Sequence, residues 1–226
     1  MRIHVKVCGI TTLAEAELAI AAGVDAIGFN GVQPAGPRTI SDHVIADITS
    51  QLPVSVGTFL LTTERTADGI LAQVDSSRVN TVQILHHLSP IESERLANAK
   101  SQIRRVQVIH VESPEVIALI SLYAAHVDAF LLDSGRPNAG VPELGGTGRI
   151  HDWEISAEFV RRSAKPSFLA GGLSADNVGS AIREVRPFGL DLSSGVRTDG
   201  RLDARKLAEF MNAVRQSESP ASAKAN

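Results

Sequence analysis

The sequence predicts a single α/β domain folded as a (β/α)₈ barrel. Short runs rich in β-branched residues and leucine alternate with longer segments that have apolar residues at helical spacing, and eight such pairs follow one another. The strand segments are apolar almost throughout, as parallel strands covered on both faces should be. An open, doubly wound sheet would show the same alternation, but no Gly-x-Gly-x-x-Gly turn follows the first strand, and we favour the closed barrel.

The individual elements follow from this alternation and from local start signals. The strands are predicted over residues 3–8, 26–30, 54–61, 81–85, 105–111, 129–133, 167–170 and 190–193. Three helices begin at Thr12, Ser89 and Ser113, because each supplies a hydroxyl that can cap a first turn. The others are predicted over residues 41–52, 66–74, 153–163, 176–185 and 203–214. The barrel domain therefore covers residues 1–215, and residues 216–226 form a disordered polar tail.

Composition narrows the class of protein and its partners. The net charge is −3 and basic residues are interspersed with acidic ones, so no basic stripe is available for a nucleic-acid backbone. The only cysteine, Cys8, can form no internal disulfide, which is typical of a reducing, cytoplasmic location. No apolar run approaches the roughly 20 residues that cross a bilayer. We therefore expect a cytoplasmic protein without nucleic-acid or membrane partners.

The first strand ends in a pair of reactive side chains. In a barrel of this kind the carboxyl ends of the strands and the loops after them build the site. The two-residue period of a strand places Lys6 and Cys8 on one face, and a neighbouring ammonium group favours the thiolate, which can act as a base or nucleophile. The alternative is that this lone cysteine is a small buried apolar residue.

An acidic residue ends the sixth strand. Asp133 follows Phe130, Leu131 and Leu132, where a partly desolvated carboxyl group would hold its proton long enough to serve as a general acid. The alternative is a helix cap or a loop ion pair.

Small residues follow the seventh and eighth strands. Gly171 and Gly172 come after the seventh strand, and Ser194 and Gly195 come after the eighth. Each motif alone indicates only a turn, but together they predict two neighbouring loops whose backbone amides bind a phosphate. After the second strand, Arg38 could pair with a carboxylate or phosphate, and the alternative is a solvated surface side chain.

A glycine-rich loop and a pair of histidines are two further candidates for binding. The loop over residues 134–152 contains Gly145-Gly146-Thr147-Gly148, and its length suits a substrate-covering lid or a plain flexible insertion. His86 and His87 would point to opposite faces of the fourth strand, and no carboxylate cluster accompanies them. We predict no metal site.

These residues belong to a longer set of ordered motifs. The set is Lys6-Val7-Cys8-Gly9-Ile10-Thr11, Gly28-Phe29, Pro37-Arg38, Leu131-Leu132-Asp133, Gly145-Gly146-Thr147-Gly148 with Asp152-Trp153, Ala170-Gly171-Gly172-Leu173 with Asn177-Val178, and Asp191-Leu192-Ser193-Ser194-Gly195-Val196. In this order the motifs resemble those of the phosphoribosylanthranilate isomerase family of tryptophan biosynthesis, and the resemblance extends from the first strand to the last helix.

The resemblance implies an Amadori rearrangement of N-(5-phosphoribosyl)anthranilate that requires no cofactor. By the family pattern Asp133 would protonate the furanose oxygen, Cys8 would remove the proton from C2 of the sugar, and Arg38 would hold the anthranilate carboxylate. The two glycine loops would bind the phosphate. Further substrate contacts would come from Lys6, Gln83 and Gly146.

Several positions depart from the family pattern. Asn30-Gly31 replaces a segment that usually contains an aromatic residue, and the segment that ends in His86-His87 looks one residue longer than in the family. Arg197 replaces a glutamate and reverses a charge close to the phosphate loop, and the loop after the sixth strand is longer than usual.

These departures leave two alternatives to the family reaction. One is a barrel that isomerises a different phosphosugar, and the other is a non-catalytic barrel that binds a phosphorylated metabolite, which an ordinary, unreactive thiol at Cys8 would favour. The related histidine-pathway isomerase carries aspartates at the ends of strands one and five, where this chain has Cys8 and Val111, and is disfavoured. The sequence predicts no particular oligomeric state.

Overall fold

A computed structural model describes residues 2–31, 38–99, 102–136 and 148–218, and its main sheet is a closed barrel. Each strand pairs in parallel with the next along the chain, and the eighth pairs with the first. The strands are β1 (His4–Val7), β2 (Ala26–Asn30), β3 (Gly57–Thr62), β4 (Thr81–Ile84), β5 (Arg104–His110), β6 (Ala129–Asp133), β7 (Ser167–Leu169) and β8 (Gly189–Leu192). The predicted closed barrel is confirmed.

Helices pack around the outside of the barrel. They are α1 (Leu13–Ala21), α2 (Asp42–Thr49), α3 (Ala67–Ser77), α4 (Pro90–Ala99), α5 (Leu119–Tyr123), α6 (Trp153–Arg162), α7 (Val178–Val185) and α8 (Ala204–Glu218). None of the helices in the described part of the chain is long and apolar enough to cross a membrane.

Two of the three predicted hydroxyl caps are present. Oγ1 of Thr12 accepts a hydrogen bond from the N–H of Glu15 at 3.2 Å, and Oγ of Ser89 accepts one from the N–H of Glu92 at 3.3 Å. Ser113 forms no such cap, and its segment begins as a 3₁₀ turn over Pro114–Ala118 before α5. The cap predicted at Ser113 is therefore wrong, because the Ser113 side chain hydrogen-bonds to the carboxylate of Glu115 instead of to the backbone.

β3 begins three residues later than predicted. Val54 is fully exposed, and the N–H of Val56 donates to the carbonyl of Pro53 at 3.0 Å in a turn that precedes the strand. Val54 is therefore an apolar residue on the surface, before the strand begins. Single exposed apolar residues of this kind are common.

A small hairpin that the sequence did not predict follows β8. After a 3₁₀ turn over Ser194–Val196, β9 (Arg197–Thr198) pairs antiparallel with β10 (Arg201–Leu202). The two turn residues, Asp199 and Gly200, have φ angles of 49° and 78°, and Asp-Gly is typical of such a two-residue turn.

The last helix extends beyond the predicted domain boundary. α8 continues to Glu218, whose carboxylate accepts a hydrogen bond from the N–H of Ile3 at the start of the barrel. Residues 216–218 of the predicted tail are therefore helical, and residues 219–226 lie outside the described part of the chain.

Apolar side chains form two layers, one between barrel and helices and one inside the barrel. In the inner layer the rings of Phe59 and Phe168 meet edge to face, with centroids 6.1 Å apart. Val108 and Leu131 belong to the same layer. Because the lower barrel is filled in this way, a ligand has room only at the carboxyl ends of the strands.

Candidate active site

Lys6 and Cys8 lie at the carboxyl end of β1, where the sequence predicts them. Lys6 is fully buried and Cys8 is 8% exposed. Both side chains lie over Gly28 of β2, where an added Cβ would be 3.0 Å from Nζ of Lys6 and 3.1 Å from Sγ of Cys8. Glycine at position 28 therefore provides the space that these two side chains occupy.

The ammonium group of Lys6 is paired with Asp191 of β8. Nζ of Lys6 lies 2.7 Å from Oδ2 of Asp191, and the side chains are 0% and 7% exposed. The two residues are partners in the β1–β8 register, so they point into the barrel from adjacent positions. Burial lowers the pKa of Lys6, but Asp191 and Cys8 together raise it by more than burial lowers it. The net pKa of Lys6 therefore lies above its ordinary value. Lys6 is therefore a permanent buried cation.

The thiol of Cys8 does not have the lowered pKa that the sequence predicts. Burial raises the pKa of Cys8 and Lys6 lowers it, but Asp191 raises it again, and smaller effects of the Gly9 N–H and Arg38 leave the pKa above its ordinary value. From the sequence, Lys6 is the only charged neighbour expected for the thiol. Because Asp191 reaches the same position from a distant part of the chain, it offsets part of the effect of the ammonium group.

Asp133 ends β6 at the mouth of the barrel. Its pKa is raised to about 6, mainly by burial. The N–H of Ser134, which donates to Oδ1 at 2.7 Å, acts in the opposite direction. Within the described residues Asp133 caps no helix and forms no ion pair. Burial therefore raises the pKa of Asp133 in the expected direction, while its use as a general acid stays a prediction.

The thiol and the carboxyl group stand on strands that β7 and β8 separate. Cys8 follows β1 and Asp133 ends β6, and the order of the barrel is β6, β7, β8, β1. The two glycine loops after β7 and β8 thus lie between the two ionisable groups. A ligand held by these loops would have one group on each side.

The loop after β7 is shaped by two glycines in the left-handed region. Gly171 and Gly172 have φ angles of 85° and 63°, and a Cβ on Gly172 would lie 2.9 Å from the carbonyl oxygen of Arg149. Asn177 closes the loop, since its Oδ1 accepts from the N–H of Ser174 at 2.9 Å and its Nδ2 donates to the carbonyl of Gly172 at 2.8 Å. Because Asn177 serves the loop, α7 begins at Val178, two residues later than predicted.

The loop after β8 packs directly on the loop after β7. Ser194 and Gly195 lie in the 3₁₀ turn, and a Cβ on Gly195 would overlap the carbonyl oxygen of Leu173. The predicted convergence of the two loops is confirmed. Phosphate binding by Gly171, Gly172, Ser194 and Gly195 stays a prediction.

Arg38 packs against the loop that follows β1. A Cβ on Gly9 would lie 2.7 Å from Nε of Arg38, and Gly9 has a φ of 73°. Only glycine allows both this conformation and this close approach. Arg38 is thus half-buried beside Cys8 instead of standing free in solvent, which supports its predicted binding role.

Several buried polar atoms of the site have no hydrogen-bond partner among the described residues. They are Oε1 of Gln83, Nε of Arg38, Oδ1 of Asp191 and Oγ of Ser193. Buried polar atoms in folded proteins nearly always have a partner. Their concentration at this end of the barrel is what a site for a polar ligand requires, and it includes Gln83, one of the predicted substrate contacts.

Asn30 is a site residue that the sequence did not identify as functional. The thiol of Cys8 donates to Oδ1 of Asn30 in a long contact of 3.9 Å. Asn30 was recognised only as a departure from the family pattern. The parallel register between β1 and β2 brings it to the thiol, and only the pairing of these two strands reveals the contact.

Arg197 directly follows the loop after β8, close to the predicted phosphate site as the sequence indicates. Its side chain is buried and turns towards α1, where Nη1 lies 2.8 Å from Oε1 of Glu15. The positive charge at position 197 is therefore paired with the carboxylate of Glu15.

The histidine pair lies in a loop, and Gly146 is not among the described residues. His86 and His87 follow the end of β4 at Ile84, so the argument from alternating strand faces is wrong. Both line a cavity of about 450 Å³ that also includes Arg65 and His110. Burial lowers the pKa of all three histidines, which favours neutral imidazoles there. Gly146 lies outside the described residues.

Fold and site together define a (β/α)₈-barrel protein with a thiol and a carboxyl group on either side of two small-residue loops. A family model described as N-(5'phosphoribosyl)anthranilate (PRA) isomerase matches residues 5–213. The chain belongs to this family.

Relatives and solved structures agree with this assignment. The N-(5'-phosphoribosyl)anthranilate isomerase of Pelobacter propionicus is 36% identical over 218 residues, which cover 96% of this chain and 98% of the relative. The crystal structure of the Thermus thermophilus phosphoribosyl anthranilate isomerase has a TM-score of 0.81 at 26% identity, covering 95% and 99% of the two chains. Another isomerase, solved with reduced 1-(o-carboxyphenylamino)-1-deoxyribulose 5-phosphate, has a TM-score of 0.78, with the same identity and coverage.

Proposed function

We propose that the protein catalyses the Amadori rearrangement of N-(5'-phosphoribosyl)anthranilate to 1-(2-carboxyphenylamino)-1-deoxyribulose 5-phosphate, in tryptophan biosynthesis. The observation that carries the proposal is the placement of Cys8 and Asp133 on either side of the two converging glycine loops. Family membership supports the same substrate, because related isomerases act on it by name.

Asp133 acts first, as the general acid. Its proton passes to the furanose ring oxygen, the bond between that oxygen and C1 breaks, and the amine nitrogen forms an iminium with C1. A carboxyl group with a pKa of about 6 is well matched to this step, because it is far more often protonated near neutral pH than an ordinary aspartate.

Cys8 acts second, as the general base. Its thiolate removes the proton from C2, the electrons of the C–H bond neutralise the iminium, and the resulting enolamine tautomerises to the aminoketose. The productive state thus has a protonated Asp133 and an ionised Cys8. In this state the two side chains together hold one proton, as they do when Asp133 is ionised and the thiol is neutral. The site is therefore competent at pH values between the two pKa values, where the pair holds one proton.

Substrate binding supplies the positioning. The loops containing Gly171, Gly172, Ser194 and Gly195 bind the phosphate, and Arg38 pairs with the anthranilate carboxylate. Lys6, Gln83 and Gly146 contribute further substrate contacts. Binding energy from the phosphate holds the sugar between Cys8 and Asp133, remote from the bonds that change.

The chemistry also bounds the partners. The reaction moves protons without a hydride or electron transfer, so no cofactor is required. The partner is a phosphorylated sugar derivative rather than a nucleic acid or a membrane. A cytoplasmic location is consistent with the single cysteine.

A fluorescence assay with freshly generated N-(5'-phosphoribosyl)anthranilate tests the proposal. We expect rapid loss of the substrate signal with the parent protein and no measurable turnover with Cys8→Ala or Asp133→Ala. Asp47→Ala serves as the matched control, because this aspartate is exposed on α2. All variants should remain folded by circular dichroism.

Three other outcomes would contradict the proposal, each in a different way. Full activity of either site variant would refute its assigned role. No turnover by folded parent protein would favour a different phosphorylated aldose–ketose pair, to be tested with other phosphosugars. If none of these is turned over but one binds, the protein is a non-catalytic phosphometabolite-binding barrel.

A further inference from the structure

Arg197 connects two loops of the site through a buried guanidinium group. Nη2 donates to the carbonyl oxygens of Cys8 and Gly9 at 3.2 and 2.7 Å, and Nη1 donates to that of Gly200 at 3.0 Å. We propose that Arg197 is a positioning residue, which holds the Cys8–Gly9 backbone so that the thiol faces the substrate. The proposal rests on the proposed function of Cys8 as the base.

Glu15 fixes the guanidinium group from the other side. Its Oε1 accepts from Nη1 of Arg197 at 2.8 Å and from the N–H of Leu202 at 3.0 Å, and its Oε2 accepts from the N–H and hydroxyl of Thr11 at 3.0 and 3.1 Å. One carboxylate therefore joins the start of α1, the hairpin and Arg197. A guanidinium held in this way has little freedom to leave the two carbonyls.

The Gly9 peptide transmits the effect of Arg197 to a second site residue. Gly9 has a φ of 73°, its carbonyl is bonded by Arg197, and Arg38 packs so closely on it that a Cβ would lie 2.7 Å from Nε. Glycine in this region has many accessible conformations, so an external contact is needed to select one. Loss of the Arg197 side chain would therefore loosen the surface under Arg38 together with the backbone of Cys8.

The phosphate loop does not depend on the Arg197 side chain. The main-chain carbonyl of Arg197 accepts from Nζ of Lys206 at 2.8 Å, and the carbonyl of Val196 accepts from the N–H of Asp203 at 2.9 Å. The pairing of β9 with β10 adds further backbone bonds. A substitution at position 197 should therefore disturb Cys8 while leaving Ser194 and Gly195 in place.

Arg197→Met tests this separation. We expect kcat to fall about 10- to 100-fold, the loss typical of a misplaced catalytic group, while competitive inhibition by inorganic phosphate changes less than about twofold. Arg197→Lys retains a positive charge and a donor but not the planar fork, and should recover only part of kcat.

Arg105→Met is the matched control. Arg105 is 13% exposed, pairs with Asp128, and donates to the carbonyl of Ala97 at 3.0 Å, but it lies at the amino end of β5, opposite the site. It should lower the melting temperature to a similar extent without changing kcat. A decrease in kcat of the same size in both variants, or a phosphate inhibition constant that weakens in step with kcat, would mean that Arg197 only stabilises the fold.

Alkylation of Cys8 by iodoacetamide gives a readout without turnover, since Cys8 is the only cysteine. We expect the rate to rise at least about fivefold in Arg197→Met, because the buried thiol becomes accessible, and to stay within about twofold of the parent in Arg105→Met. An unchanged rate in Arg197→Met overturns the proposal. If the alkylation rates differ as expected but the parent does not turn over the substrate, the proposed function fails and the positioning role remains.

Discussion

Nζ of Lys6 and Oδ2 of Asp191 lie 2.7 Å apart beneath the mouth of the barrel, and this pair affects the pKa of both Cys8 and Asp133, the two proposed proton-transfer groups. Lys6 lowers and Asp191 raises the pKa of Cys8, and the same two residues act in the same directions on Asp133. The two charges act in opposite directions, and burial has the largest effect on the pKa values of both Cys8 and Asp133.

Asp191→Asn should therefore lower the pKa values of Cys8 and Asp133 together. Removing the carboxylate leaves Lys6 as the nearest charge to the thiol and favours its ionised form. The pH dependence of iodoacetamide alkylation measures the change at Cys8, and its midpoint should move to lower pH. Asp25→Asn, at the amino end of the barrel, is the control and should leave the midpoint in place. A midpoint that rises in Asp191→Asn would contradict the electrostatic argument.

The pH profile of kcat/KM should fall on its acid side near pH 6. Below that value Asp133 and Cys8 both hold protons, so the site has no base, and above the pKa of Cys8 it has no acid. Activity should thus be greatest between the two. The substrate phosphate also titrates near pH 6, so the profile is repeated with Asp191→Asn. If Asp133 sets the acid limb, the limb should move to lower pH in Asp191→Asn, because the pKa of Asp133 falls in that variant. A limb set by the substrate phosphate would stay at the same pH.

Asp133→Asn should abolish turnover and stabilise the fold at neutral pH. The folded pKa of about 6 lies above the unfolded value of 3.8, so the carboxyl group favours the unfolded state as pH rises through this interval. Replacement by a neutral amide should raise the free energy of unfolding at pH 7 by about 1 to 3 kcal/mol. At pH 4 the difference should fall below about 1 kcal/mol. Urea unfolding at both pH values measures it.

The control for this stability prediction is Asp47→Asn, on the exposed side of α2, which should change stability little at either pH. A less stable Asp133→Asn at pH 7 would show that the N–H of Ser134 gains more from the carboxylate than burial removes.

Gly195→Ala should weaken phosphate binding more than it slows the chemistry. The added methyl group would overlap the carbonyl oxygen of Leu173, so the loops after β7 and β8 must move apart. We expect KM and the inhibition constant of inorganic phosphate to rise about tenfold or more, with a smaller decrease in kcat. Gly200→Ala is the control, because a Cβ there meets no atom within 4 Å although its φ is 78°. Equal kinetic effects in the two variants would argue against a phosphate role for Gly195.

Much of the site could be predicted because it depends on local order along the chain. The period of a strand placed Lys6 and Cys8 on one side, and the end of an apolar run placed Asp133 at the mouth of the barrel. Alternating strands and helices then brought the loops at Gly171 and Gly195 next to each other. Each of these inferences uses neighbours within a few residues, or the fixed order of strands in a barrel.

Several features of the site could not be predicted because they depend on partners distant in sequence. The lowered pKa expected for Cys8 neglected burial and Asp191, and the ion pair of Arg197 with Glu15 was not predicted. The contact between Cys8 and Asn30 was missed because it depends on how β1 and β2 pair.

The sequence by itself determined the barrel and the membership of an isomerase family, and it predicted which residues serve as acid and base. These follow from periodicity and ordered motifs, which are properties of the chain. Only the tertiary structure decided how the pKa values of those groups are shifted. The pKa values of Cys8 and Asp133 depend on burial and on Lys6 and Asp191, because desolvation and charge interactions act through space and change over a few ångströms.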